Sequence, residues 1–185
     1  MSDERIAYAE VRASDLEDVV ELIYDSMFHA ELGEPAIVSA GLDKADAEVQ
    51  AFVRAFASEQ TSHPTSRLAR ERQSGRLLGI MLSAVSTADE LLLASTRAPP
   101  LYSGEALQRY VKSFEAANNK QQLASNLSKW GAQRLLSLNT LCVRPECRQQ
   151  GIAQRLAQLS IDAGVADGCD TAITPTRRSS DQYDA

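Results

Sequence analysis

The sequence predicts an α/β fold, α+β in the sense that its sheet is mixed, and three observations carry that expectation. Short apolar runs of strand length alternate with longer windows of helical periodicity. Two of the short runs, "SRLARER" and "RLLGIMLSAV", are separated only by the turn signal "QSG". A third run, "LLSLNTLCV", passes through the polar stretch "RPECRQQG" into an amphipathic helical window, "QRLAQLSIDAGVA".

The elements follow in order. Arg5 to Val11, "RIAYAEV", reads as a first strand. Ser14 and Glu17 have the spacing of a capping box, and Leu16, Val19, Val20, Ile23 and Met27 then recur at helical spacing. A first helix is expected from Asp15 to Phe28, broken by Gly33 and Pro35. Asp43 can cap a second helix that carries Val49, Phe52, Val53 and Phe56 on one face. "SRLARER" and "RLLGIMLSAV" are the second and third strands. Thr87 to Pro100 reads as a loop, Glu105 to Ala117 as a helix through Leu107, Val111 and Phe114, and "ANNKQQ" as an exposed polar stretch. Arg134 to Val143 is the fourth strand. Gln150 to Asp167 is a helix expected to turn Ile152, Leu156, Leu159 and Ala163 inward, and "CDTAIT" is the fifth strand. No internal repeat and no interdomain linker is visible, so residues 1–185 are expected to form one domain, with 174–185 as a frayed tail.

Charge and composition narrow the function. The net charge is −6, which argues against nucleic acid as the main partner and suits a cationic substrate. Cys142, Cys147 and Cys169 are an odd, sparse set, which predicts reduced thiols in the cytosol. The start, "MSDERIAYAE", has no apolar core of a leader, and no apolar run approaches the roughly 18 residues of a membrane span. A cytoplasmic setting without membrane association is expected.

The turn between the fourth strand and its helix carries the chemistry. A helix start leaves several backbone N–H groups without partners and carries partial positive charge. Gly151 lets a ligand approach that backbone closely. Pro145 stiffens the turn, and Arg148 can add a charge-assisted contact to a phosphate. A pyrophosphate would fit on the amides of residues 148 to 153. The alternative is an ordinary strand–turn–helix with a surface arginine.

The stretch Arg148-Gln149-Gln150-Gly151-Ile152-Ala153 resembles motif A of the GNAT superfamily of N-acetyltransferases, Arg/Gln-x-x-Gly-x-Gly/Ala, at every position. The strand before it, the Val143-x-Pro145 approach and the amphipathic helix after it are placed as in that superfamily. The resemblance implies a GNAT-like acyl-CoA N-acyltransferase fold. It also implies that the loop amides hold the pyrophosphate of acetyl-CoA, while the backbone of Leu141, Cys142 and Val143 pairs with the pantetheine arm.

A second resemblance concerns the acceptor. "MFHAELGEPAIVSAG" is similar to the segment after the first helix in invertebrate-type arylalkylamine N-acetyltransferases, which reads Asp-Glu-Pro-Leu. Here the match is Glu34-Pro35, with Gly33 in place of the aspartate. The resemblance implies that Glu34 is the general base. A base is needed because an aliphatic amine has a pKa of about 10.4, so reaching its neutral form at pH 7 costs roughly 4–5 kcal/mol. A partly buried carboxylate can take the proton directly or through water, and backbone N–H groups of the fourth strand can stabilise the oxyanion.

Other residues read more plainly. His29, at the end of the first helix, is a surface histidine or part of a proton path, and His63 precedes a proline in a loop. Cys142 and Cys147 are spaced Cys-x4-Cys without a second pair, so no metal site is expected. Cys142 could carry an acyl group, although direct transfer needs no such intermediate. Tyr24 and Phe28 pack in the core or line an arylalkyl pocket. Thr174 and Ser179 fall where relatives have hydroxyls, and Arg177 and Arg178 read as a solvated pair.

The superfamily continues past its fifth strand with a helix and usually two strands, whereas twelve residues, Thr174 to Ala185, follow here. Tyr183 is not placed as that superfamily's proton donor to the thiolate. Three readings follow: an acetyltransferase for an arylalkylamine such as dopamine, serotonin or tryptamine; one for a polyamine or another small amine; and a truncated, catalytically impaired form acting as an interaction or regulatory protein.

Overall fold

A computed structural model describes residues 5–28, 37, 40–97, 102–117 and 119–174. Five strands form one mixed sheet in the order β1 (Ile6–Glu10), β2 (Arg67–Glu71), β3 (Leu77–Thr87), β4 (Arg134–Val143) and β5 (Thr171–Ile173). The first three pairings are antiparallel and β4–β5 is parallel. A parallel pair needs a crossover, which here is the long helix after β4.

Helices cover both faces. On one face lie α1 (Leu16–Met27) and α2 (Ala47–Thr61). Their Val19, Leu22, Ile23, Val53 and Ala57 pack on Leu68, Ile80, Leu82 and Cys142. On the other face, the crossover helix sets Ile152 and Leu156 against Leu78, Met81 and Val143. Strand β3 therefore alternates between two cores, as a central strand buried on both faces must.

Helix α3 (Ala88–Ser95), α4 (Glu105–Ala117) and α5 (Lys120–Trp130) precede β4, and α6 (Ile152–Ala166) is the crossover. Two of these correct the sequence reading. Thr87 to Pro100 was expected to be a loop, yet Thr87 and Glu90 form a capping box that starts α3. "ANNKQQ" was expected to be an exposed stretch, yet Asn119 caps α5 by accepting from the Gln122 amide at 2.9 Å. Leu91, Leu127 and Leu135 close a small core beneath this helix pair.

Three local expectations also shift. The carboxylate of Asp15, not the Ser14–Glu17 box, caps the turn before α1 by accepting from the Arg12 amide at 2.8 Å. Glu17 instead pairs with Arg54 of α2. Asp46, not Asp43, caps α2, accepting from the Glu48 amide at 2.7 Å. The buried seam of α6 is Ile152, Leu156, Ser160 and Gly164, where Leu159 and Ala163 were expected.

Candidate functional site

The site begins where β4 leaves the sheet. Its backbone continues into a 3-10 turn, Pro145–Cys147, whose first residue supplies the fixed φ that a helical turn wants. The Cys147 amide donates to the Arg144 carbonyl at 2.9 Å, and the Arg148 amide to that of Pro145 at 3.2 Å. Beyond them the chain is different. Gln149 takes φ of 60° and Gly151 φ of 79°, both in the left-handed region. Two such residues around a turn point successive N–H groups outward, the geometry of an anion-binding nest.

The hydrogen bonds confirm that opening. The Arg155 amide, donating to the Gly151 carbonyl at 3.0 Å, is the first of α6 with a backbone acceptor. Among the described residues, the amides of 149 to 154 have none. These donors sit at the positive end of a helix dipole. A Cβ added at Gly151 would meet nothing within 4 Å, so the approach to the amides is open. The residues present thus fit a phosphate group.

The side chains behave differently from the sequence expectation. Arg148 turns back, its Nε donating to the Val143 carbonyl at 3.2 Å, so it braces the loop against the end of β4. Gln150 donates to the Glu146 carbonyl at 3.4 Å. Ile152 is buried under the sheet, and Ala153 is half-buried beside it. The nest is therefore built from backbone, and its side chains hold it in shape.

The β4 edge is the second part. β5 pairs only with Leu135, Leu136 and Ser137. From Asn139 to Val143, β4 has no strand on its β5 side among the described residues. Leu141 is exposed there, whereas Cys142 and Val143 turn into opposite cores. Burial pushes the Cys142 thiol up to about 11, against the opposing Ser26 hydroxyl and Arg148 charge. A bulge marks the same place: Leu82 pairs with Thr140 and Ser83 with Leu138, so Asn139 is the extra residue.

The remaining candidates separate. Tyr24 and Phe28 stack with ring centroids 5.6 Å apart, and each packs against a buried core. His63 lies in the turn after α2, its amide donating to the Gln60 carbonyl. The Thr174 hydroxyl donates to the Leu138 carbonyl at 3.4 Å, beside the bulge. Glu34, His29, Arg177, Arg178, Ser179 and Tyr183 lie outside the described residues. No group of three His, Cys, Asp or Glu side chains that could hold a metal ion occurs among the described residues. No helix there is long and apolar enough to cross a membrane.

Comparison with known proteins agrees with this geometry. The Acetyltransferase (GNAT) family profile matches residues 115–182, the segment that holds β4, the nest and α6. Comparison with curated protein sequences found no match. Among solved structures, arylalkylamine N-acetyltransferase 2 from Aedes aegypti superposes with a TM-score of 0.71 at 16% identity, covering 91% of this chain and 74% of that one. An agmatine N-acetyltransferase mutant in its apo form gives 0.68 at 13% identity, covering 92% and 75%. A polyamine N-acetyltransferase from Drosophila melanogaster gives 0.63 at 16% identity, covering 91% and 75%. The fold is that of the GNAT superfamily. The family match covers the stretch that holds the nest, and the likeness to these solved structures is one of fold.

Proposed function

We propose that this chain transfers the acetyl group of acetyl-CoA to a small primary amine, of the arylalkylamine class. One observation carries the reading: a run of unpartnered amides at the start of α6 stands next to a β4 edge that β5 leaves uncovered. The amides of 149 to 153 would take the pyrophosphate. The backbone of Leu141, Cys142 and Val143 would pair with the pantetheine arm. The two sites adjoin along the chain, as one long co-substrate requires.

Glu34 is proposed as the general base, on its match to the Glu-Pro segment of arylalkylamine enzymes. The neutral amine attacks the thioester carbonyl carbon, the carbon–sulfur bond breaks, and the coenzyme thiolate takes up a proton. Backbone N–H groups of β4 around Asn139, the extra residue of the bulge, would stabilise the oxyanion. The acidic balance of the chain, −6, favours a cationic acceptor. The likeness to agmatine and polyamine acetyltransferases favours a second reading in which the acceptor is one of those amines.

Calorimetric titration with acetyl-CoA tests the first step, on the intact chain and on Gly151→Asp. Micromolar binding that the variant loses supports the nest. No binding to the intact chain overturns the proposal. An amine panel of tryptamine, serotonin and dopamine against agmatine and spermidine then separates the two acceptor readings, and Glu34→Gln tests the base through the pH dependence of turnover.

A further inference from the structure

A chain of buried polar groups runs from the end of α2 to the bulge of β4. The Asn139 side-chain amide donates to Gln60 Oε1 at 2.7 Å. The Gln60 carbonyl accepts from the Ser66 hydroxyl at 2.9 Å. Ser66 Oγ in turn accepts from the Ser83 amide at 3.0 Å, and the Ser83 hydroxyl donates to Thr65 Oγ1 at 2.8 Å. Gln60, Thr65, Ser66 and Ser83 are all buried.

Such a chain needs a reason. Polar groups taken out of water cost free energy unless each is paired, and apolar side chains of the same size would fill the space without that demand. The location supplies one. Ser83 lies on β3 beyond the last pair with β2, so the Ser66 hydroxyl stands in for a missing strand. Ser83 also pairs with Leu138, next to the extra residue of β4. The polar chain therefore meets the sheet where its register changes.

A bulge can migrate. A one-residue slip would send every following β4 side chain to the opposite face, exchanging Cys142 for Val143 between the two cores. The packing of those two residues resists slip on one side of the bulge. On the other side stands Asn139, whose bond to Gln60 ties the extra residue to a helix. At Asn139 the backbone lacks a partner on β3, and it lies beyond the last β5 pair. This is the free edge to which the proposed function assigns the acyl carbonyl.

We propose that Gln60 and Asn139 are positioning residues, whose side-chain amide bond fixes the bulge register and so aims the open β4 edge at the reacting acyl group. The inference rests on the acetyltransferase reading for its catalytic consequence, and on geometry alone for the register. A neutral amide pair suits the task because it gives direction without placing a net charge beside a developing oxyanion.

Gln60→Leu removes the acceptor at similar volume, while Gln60→Glu keeps an oxygen at the same reach. Asn139→Ala removes the bond from the other side. Three readouts are taken on each: hydrogen exchange of a peptide covering 136–143, acetyl-CoA affinity by calorimetry, and kcat with the best amine. Gln60→Leu and Asn139→Ala are expected to raise exchange in that peptide and leave it unchanged across α6. They should lower kcat by roughly tenfold or more, since small misplacement is costly, with acetyl-CoA affinity close to wild type. Gln60→Glu keeps the bond and should restore the exchange pattern, while its negative charge near the oxyanion keeps kcat low. Unchanged exchange in Gln60→Leu overturns the proposal, as does a Gln60→Glu variant whose 136–143 peptide exchanges no more slowly than that of Gln60→Leu. A wild type that acetylates no amine defeats the functional reading instead, and exchange restored by Gln60→Glu would still assign the bulge register to this pair.

Discussion

Gly164 of α6 lies directly over Leu136 of β4: a Cβ placed on that glycine would stand 2.7 Å from Leu136 Cδ2 and 3.3 Å from its Cγ. Leu136 is buried and cannot swing away without displacing other core groups. The glycine is what lets the crossover helix approach the sheet at the β4–β5 pair. Gly164→Ala is expected to destabilise the protein by about 1–3 kcal/mol, despite the better helix propensity of alanine. Urea denaturation checks it. A variant as stable as wild type would mean that the helix shifts freely at this point.

That contact also explains why apolar periodicity misplaces the buried seam of α6. Periodicity alone placed Leu159 and Ala163 in the seam of α6, because they are the apolar residues at helical spacing. The protein buries Ser160 and Gly164 instead, since small residues are needed where helix and sheet come close. Strands of the sheet and the turn around Gly151 were legible, because alternation and a glycine at a helix start are local signals. Helices α3 and α5 are less legible although both carry caps, Thr87 with Glu90 and Asn119. Their apolar faces are short, and the loop-like composition around them outweighed the caps. The inward turn of Arg148 and the bond between Gln60 and Asn139 depend on residues brought together by the fold, so no spacing in the chain could announce them.

Arg144 joins three elements at the end of β4. Its amide donates to the Leu78 carbonyl at 2.9 Å and its Nε to that of Leu77 at 2.7 Å. Its terminal nitrogens reach Asp25 at 3.1 Å and Glu21 at 3.0 Å on α1. The carboxylates are partly exposed, so their charges are screened; the fork geometry, which also holds a strand carbonyl, matters more. Lysine cannot span these partners. Arg144→Lys is expected to cost about 1–2 kcal/mol in urea denaturation, with most of the difference persisting at high salt. A difference that salt abolishes would show the ion pairs to be the dominant part.

Asp170 fastens β5 to the start of β4. Its Oδ2 accepts from the Arg134 amide at 2.9 Å and from that of Gln133 at 2.5 Å. The Arg134 amide, followed by that of Gln133, holds its carboxyl below the usual carboxylate range. A lowered folded pKa stabilises the ionised form. The contribution is therefore complete above the unfolded value, about 3.9, and is lost as pH falls through the lower folded one. The stability difference between wild type and Asp170→Ala should be flat from neutral pH to about pH 5 and shrink below about pH 4. A difference that instead grows on acidification would contradict this assignment.

Cys142 has the position of a nucleophile but not its environment. It lies on the proposed pantetheine edge, yet its thiol turns into the core beneath α1, beside Leu22, Ile23 and Leu82. With the thiol pushed up to about 11, its thiolate is a very small fraction at neutral pH, and a thiol is a poor nucleophile without it. The backbone of this residue can serve the strand edge while its side chain serves the core. Cys142→Ala is accordingly expected to keep acetyl transfer close to wild type while losing about 1 kcal/mol or more of stability. Alkylation with iodoacetamide, mapped by mass spectrometry, should label Cys147 and Cys169 before Cys142, since both are less buried. An acetyl adduct trapped on Cys142, or an inactive but fully folded Cys142→Ala, would instead require a covalent intermediate and would displace direct attack by the amine.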